Sequence, residues 1–249
     1  MRVLAELVAE ARRRAEELPA PGPASRCRRA SFLEALRGKR KLSVIAEFKR
    51  RSPSKGGIAE LKNLEQQVRC YDRAGAAAIS VLTEPTRFGG CAEDLSRAVA
   101  VSERPVLMKD FVVDPRQVRQ AAALGASAVL LIVRCLTRGE LLALAEEAGR
   151  LGLTPLIECH DERELGRALE IESAAIGVNN RDLDSLEIHL ERAPALLAEV
   201  PLDRVAVAEI GYVTTGQLAD VRGLADAVLV GTALMQSGDP KSFIKEATG

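Results

Sequence analysis

The stretch Val44-Ile-Ala-Glu-Phe-Lys-Arg-Arg-Ser-Pro-Ser-Lys-Gly-Gly57 decides the fold, because a short apolar run ends in an acid and a base and opens into a basic loop. On an extended strand side chains alternate, so Glu47 and Lys49 point to one face. A carboxylate and an ammonium side by side are poor packing groups and good groups for proton transfer or for holding an anion. The loop adds Arg51, Ser52, Ser54, Lys55 and the backbone N–H groups of Gly56 and Gly57, the donors that a phosphate or carboxylate needs. Taken alone, such a loop is more often a solvated turn after an edge strand. A doubly wound sheet carries a GxGxxG turn after its first strand, and this turn is basic and lacks that pattern.

Beyond that stretch the chain keeps a beat. Short apolar or β-branched runs fall at 43–48, 78–83, 105–109, 128–133, 154–158, 175–179, 204–208 and 227–230, and the first seven are each followed by a segment able to form a helix. Clear cases are 61–74, 115–124 and 138–151, and Gly75, Gly125 and Gly152 stand where a helix would close. Eight strands alternating with helices predict an α/β chain folded as a single (β/α)8 TIM barrel. Upstream, Leu4, Leu7, Val8, Ala11 and Ala15 recur at helical spacing over residues 1–18, with Arg12-Arg13-Arg14 read as a solvated face. Residues 18–25, with Pro19, Pro21, Gly22 and Pro23, break that helix, and a second covers 31–37. The expected organisation is one barrel domain over 1–249, with 1–40 as a helical extension.

A chain of 249 residues with 47% hydrophobic content has material for a large core. Lys plus Arg and Asp plus Glu are equal at 35 each, so nothing points to nucleic acid or a membrane surface, and an anion site must be local. No run approaches membrane-spanning length and no signal-peptide core follows Met1. Cys27, Cys70, Cys91, Cys135 and Cys159 form an odd set without a CxxC pair, which suits reduced thiols and a cytoplasmic protein. His160 and His189 lack partners at metal-ligand spacing, so a surface or supporting role is expected and a metal is not.

In a barrel of this kind catalytic groups sit at the C-terminal ends of the strands. Here those ends carry Glu47 and Lys49, then Lys109, Glu158, Asn179 with Arg181 beyond it, and Glu209. Parity supports them, since Leu107 shares a face with Lys109, Leu156 with Glu158 and Val207 with Glu209, while Cys159 turns outward. Each has a plain structural reading alone: Lys109 in a rim pair with Asp110, Glu158 bonded to loop amides, Asn179-Asn180 as a turn. As a set they cost too much buried charge to be packing alone. The last two strands end in Gly211 and in Gly231-Thr232, the usual phosphate seat of the architecture.

The motifs Ile45-Ala-Glu-Phe-Lys-Arg-Arg-Ser-Pro-Ser-Lys-Gly, Val106-Leu-Met-Lys-Asp-Phe, Pro155-Leu-Ile-Glu, Gly177-Val-Asn-Asn-Arg-Asp-Leu and Ala208-Glu, in this order, closely resemble the indole-3-glycerol phosphate synthase family. The resemblance runs from about Phe32 to Leu234. It implies ring closure of 1-(2-carboxyphenylamino)-1-deoxyribulose 5-phosphate to indole-3-glycerol phosphate, with loss of CO2 and water, in tryptophan biosynthesis, without metal or organic cofactor. It further implies Lys109 as general acid, Glu158 and Lys49 as the acid/base pair of the dehydration, and Glu47 and Asn179 as orienting groups, with Glu209 among the catalytic set. Lys49 and Arg181 are similar to the family's grip on the aromatic carboxylate, Phe88 to its ring contact, and Ser52, Gly211, Gly231 and Thr232 to its phosphate clamp. The expected partner is therefore a phosphorylated small molecule, with the protein a monomer or weak homo-oligomer. Two departures stand out: Glu209-Ile210-Gly211-Tyr212 where the family usually reads Glu-Ser-Gly-Ile, and Arg87-Phe88-Gly89-Gly90 in place of Tyr-Phe-Asn/Gln-Gly. Loss of the Ser hydroxyl predicts looser substrate binding. A Schiff-base aldolase using Lys109, a phosphoribosyl isomerase and a non-catalytic phosphate-binding barrel are the competing readings.

Overall fold

The computed structural model describes residues 2–19, 30–37, 41–52, 56–58, 62–182, 185, 187–237 and 239–249. Most of the proline-rich break after residue 19, Cys27, and Ser54 and Lys55 of the basic loop lie outside the described residues.

Helix α1 (Arg2–Glu16) and the short α2 (Phe32–Leu36) precede the sheet. The strands are β1 (Ser43–Phe48), β2 (Ala78–Leu82), β3 (Val106–Lys109), β4 (Ala128–Ile132), β5 (Thr154–Cys159), β6 (Ala175–Asn179), β7 (Ala206–Glu209) and β8 (Ala227–Val230). Each pairs in parallel with its sequence neighbours, and β8 pairs with β1, so the sheet closes into a barrel. The single (β/α)8 fold read from the sequence is the fold observed. Almost every strand residue is buried, as expected when side chains fill the barrel on one face and meet helices on the other.

The helices α3 (Leu64–Ala74), α4 (Pro85–Phe88), α5 (Ala92–Val101), α6 (Pro115–Ala123), α7 (Arg138–Arg150), α8 (Glu162–Leu169), α9 (Arg192–Ala198), α10 (Thr232–Gln236) and α11 (Pro240–Thr248) complete the ring and its mouth. Their starts are set locally. Side chains of Asn63, Asp114, Thr137 and Asp161 accept the first free backbone N–H groups of α3, α6, α7 and α8. Two expectations shift. The segment after β7 is a 3-10 helix, Thr215–Val221, and β7 starts at Ala206 rather than Arg204. Arg204 is held back because its guanidinium donates to the carbonyls of Leu169, Ile171 and Ala174 beneath the barrel.

Helix α1 lies over the C-terminal mouth. Leu4 and Leu7 face the space above the strand ends, and Arg14 donates to Asp110 just past β3, with its Nη2 2.8 Å from Oδ1. This corrects the reading of the arginine run as one solvated face: Arg12 and Arg13 are exposed, whereas Arg14 turns inward. Asp110 accepts from Arg14 and from Thr83, so it is not the partner of Lys109.

Candidate active site

Register brings the polar strand ends to one level. Glu158 stands beside Gly177, and Asn179 beside Glu209. Lys109 Nζ, on β3, reaches across the barrel to Glu209 Oε2 at 2.8 Å and lies 3.5 Å from Glu158 Oε2. A second pair, Lys49 Nζ to Glu47 Oε1 at 2.8 Å, sits at the end of β1. All five side chains are buried. Such a set is tolerable only because opposite charges are adjacent, since an isolated buried charge costs several kcal/mol.

Two glycines make room for these pairs. A Cβ on Gly177 would lie 2.1 Å from Glu209 Oε1, and one on Gly231 would lie 2.2 Å from Glu47 Oε1 and 2.9 Å from Lys49 Nζ. Gly231 was expected from the sequence as a phosphate contact, and the structure gives it this additional reason. The requirement for Gly177 was not visible in the sequence, because it arises from a side chain on the neighbouring strand.

The electrostatics separate the carboxyl groups. Burial pushes Glu158 toward the neutral acid, but Lys109 and then His160 outweigh it and leave the group well below the usual carboxylate range. Burial dominates at Glu209, and the nearby Glu158 charge adds to it, so that despite Lys109 its pKa is pushed up to about 7. Burial also works against the Lys109 ammonium, yet Glu209, Glu158 and Glu47 together hold it charged, above the ordinary lysine value. Arg181 shifts downward because it is half-buried.

Of these groups Glu47, Lys109, Glu158 and Arg181 line a chamber at the C-terminal mouth. Its walls include Glu47, Lys49, Ser52, Lys109, Glu158, Asn179 and Arg181, and its apolar side is formed by Leu4, Leu7, Leu82, Phe88, Phe111, Leu130 and Ile132. Beside it lies a smaller recess lined by Lys49, Arg181, Gly211, Gly231 and Thr232. Glu47, Lys49, Arg181 and Ile210 border both spaces. The structure thus gathers the sequence-derived candidates around two joined cavities. Glu209 joins them through Lys109, and Ser52 lines the large chamber rather than the recess that holds the other expected phosphate contacts.

Ile210 has φ 49°, the one left-handed non-glycine backbone among the described residues. For a β-branched residue that conformation costs about 1–3 kcal/mol. It is held by Asn180, whose Nδ2 donates to the carbonyls of Glu209 and Ile210 and to the Tyr212 hydroxyl. Sequence reading took Asn180 as turn chemistry and had no signal for this clamp. It also missed Glu84, which caps α4 by accepting from the N–H groups of Thr86, Arg87 and Phe88 and thereby sets Phe88 at the chamber wall. Among the described residues no group of three His, Cys, Asp or Glu side chains is placed to hold a metal ion, and no helix is long and apolar enough to cross a membrane.

A parallel eight-stranded barrel with two lysines, three carboxylates and an adjoining glycine-lined recess at its C-terminal mouth has the makeup of a barrel enzyme, with its ionisable groups at the strand ends where that architecture works. A family model described as indole-3-glycerol phosphate synthase matches residues 3–247. An indole-3-glycerol phosphate synthase of Deinococcus radiodurans is 51% identical over 80% of this chain and 75% of its own length. One from a Nocardioides species is 49% identical over 83% of this chain and 80% of its own length. Among solved structures, 3-hexulose-6-phosphate synthase from Salmonella typhimurium superimposes with a TM-score of 0.64 at 14% identity, covering 83% of this chain and 97% of that one, a likeness of fold alone. The chain belongs to the indole-3-glycerol phosphate synthase family, enzymes of the carboxy-lyase class that serve tryptophan biosynthesis.

Proposed function

We propose that the chain closes 1-(2-carboxyphenylamino)-1-deoxyribulose 5-phosphate to indole-3-glycerol phosphate, with residues 1–249 acting as one barrel domain and residues 1–40 as its N-terminal helical extension. The observation that carries the assignment of roles is the single buried cluster of Lys109, Glu158 and Glu209, in which Lys109 and Glu158 line the chamber and Glu209 backs Lys109. In this reading the aromatic ring lies against Phe88 and the apolar wall. Lys49 and Arg181 hold its carboxylate, and the phosphate enters the recess at Gly211, Gly231 and Thr232, with Ser52 at the chamber side.

The ring carbon attacks the sugar carbonyl and negative charge develops on its oxygen. Lys109 donates a proton there, a stabilisation worth several kcal/mol of barrier when the donor is fixed and water is excluded. The bond to CO2 then breaks, and its electrons restore the aromatic ring. Dehydration follows: one proton goes to the departing hydroxyl and one leaves the neighbouring ring carbon. The strongly ionised Glu158 suits the second task and the Lys49 ammonium the first, with Glu47 and Asn179 orienting the intermediate. Glu209, with a pKa near 7, gains and loses a proton in the working range and resupplies Lys109. The sum takes up one proton per turnover, which leaves in the water formed from the former carbonyl oxygen.

Ring closure is followed by indole fluorescence. Lys109→Ala and Glu158→Gln are each expected to lower kcat by about 100-fold or more. Borohydride trapping of a substrate-linked lysine would instead favour the Schiff-base route, which this assignment does not use.

A further inference from the structure

His160 is a buried ionisable group that the chemistry above leaves unused. Its imidazole has no solvent exposure and lies one residue beyond β5. Nδ1 is 3.0 Å from Glu164 Oε2 in the first turn of α8, an oxygen that also accepts the His160 backbone N–H at 2.9 Å. Arg134 Nε donates to the other Glu164 oxygen at 2.7 Å. On the opposite edge, His160 Nε2 faces Glu158 Oε1 at 3.3 Å, and neither atom makes a well-aligned hydrogen bond elsewhere among the described residues. A histidine serving only as core filling needs no second nitrogen aimed at the one oxygen of Glu158 that lacks a partner.

We propose that His160 is a positioning residue for ring closure: its Nε2–H, held in place by Glu164 and Arg134, fixes the orientation and charge of the Glu158 carboxylate opposite Lys109. The inference rests on the reading of Glu158 given above. Along the line Lys109, Glu158, His160, Glu164, Arg134, charges alternate, so no buried charge stands alone. Burial opposes the imidazolium, but the two flanking carboxylates prevail and the pKa is raised to about 9. The remaining titratable groups nearby are Glu209 behind Lys109, Asp161 beside Arg134, and the Cys135 and Cys159 thiols, which burial keeps neutral. Removing the imidazolium takes away one of the two cations beside Glu158 and frees one of its oxygens. The carboxyl must then hold its proton to higher pH and lose its fixed aim.

The test follows ring closure from about pH 3 to about pH 10 with the full chain. His160→Asn is expected to lower kcat about 10-fold with KM within about 2-fold, and to bring the acid limb of the kcat profile, which lies below the ordinary carboxylate range in the parent chain, upward into the measured range. Glu164→Gln should move both in the same direction by less, and His160→Asn/Glu164→Gln should be no worse than His160→Asn, because Glu164 acts through the ring. An unchanged acid limb in His160→Asn, or additive losses in the double variant, overturns the proposal, whatever happens to the melting temperature. Should His160→Asn not fold, Glu164→Gln alone decides through the same limb. Full activity in Glu158→Gln would defeat the reading of Glu158 itself, whereas an inactive Glu158→Gln beside a normal His160→Asn profile defeats only the role given to His160.

Discussion

The two ends of the barrel both carry buried or half-buried charge, and they use it differently. At the N-terminal end Arg204 donates to three backbone carbonyls, and Asp226 accepts the Ala206 N–H at 2.9 Å. These charges are matched to backbone, which fixes loops and strand starts. At the C-terminal mouth the charges are matched to each other and leave atoms over: Glu47 Oε2, Glu158 Oε1 and Glu209 Oε1 are buried without a hydrogen bond among the described residues. Each such atom costs about 1–3 kcal/mol. A fold keeps that cost where a ligand or a moving proton will meet the atom. Ser43 Oγ and Arg204 Nε are also unmatched at the N-terminal end among the described residues, so what separates the working end from the structural end is unmatched carboxylate oxygens rather than buried charge or an unmatched atom as such.

The largest effect should come from setting the two ends against each other. Lys109→Ala removes the cation between two carboxylates and is expected to lower stability by about 3–5 kcal/mol at neutral pH as well as abolishing most activity. Arg204→Ala should also destabilise, by about 1–3 kcal/mol, yet leave kcat within about 2-fold. Urea melts and the fluorescence assay read both. A large kcat loss in Arg204→Ala would break the contrast.

Smaller in stability but sharp in rate is Gly177→Ala. The new Cβ overlaps the end of the Glu209 side chain and meets Leu156 Cδ1 at an ordinary 3.4 Å, so the carboxylate alone must swing aside and the barrel should lose about 1 kcal/mol or less. Displacing that carboxylate by about 1 Å shifts Lys109 with it, and kcat should fall about 10- to 100-fold. Equal losses of stability and rate would mean that the glycine serves packing alone.

Acidity offers a third separation. His160 has a folded pKa of about 9, above its ordinary 6.5, so its contribution to stability is fully present below about pH 6.5 and is lost as pH rises through 9. Glu209, raised from 4.5 to about 7, acts in the same direction at lower pH: its contribution is full below about 4.5 and gone above 7. The melting temperature is therefore expected to decline from pH 6.5 to 9, and His160→Asn should flatten the upper part of that decline. A melting temperature rising across this range would place the neutral imidazole in the fold.

The architecture was legible because periodicity is a property of the chain itself: β-branched runs, capping residues such as Thr137 and Asp161, and helix-closing glycines all act within a few residues. The site was legible where parity could be counted, as for Glu47, Lys109 and Glu158. What escaped depends on contacts between distant segments. Gly177 matters because of a carboxylate on β7, His160 because α8 turns Glu164 back onto it, and Arg14 because α1 folds over the mouth. No local pattern marks these residues, and the solvated-face reading of Arg14 failed for that reason.

The smallest expected effect concerns Ile210, which borders both cavities and whose departure from the family's serine was apparent in the sequence while its strain was not. A serine at φ 49° is less strained than a β-branched residue, and it replaces apolar bulk at the junction of chamber and recess with a donor. Ile210→Ser is expected to raise stability by about 0.5–1 kcal/mol and to lower KM several-fold, with kcat changed less than about 2-fold. Ile210→Gly would relieve the strain without supplying the hydroxyl, so it should gain the stability and not the full affinity. If serine raises kcat more than it lowers KM, the hydroxyl belongs to the chemical step. If glycine matches serine in KM, bulk rather than the missing donor limits binding.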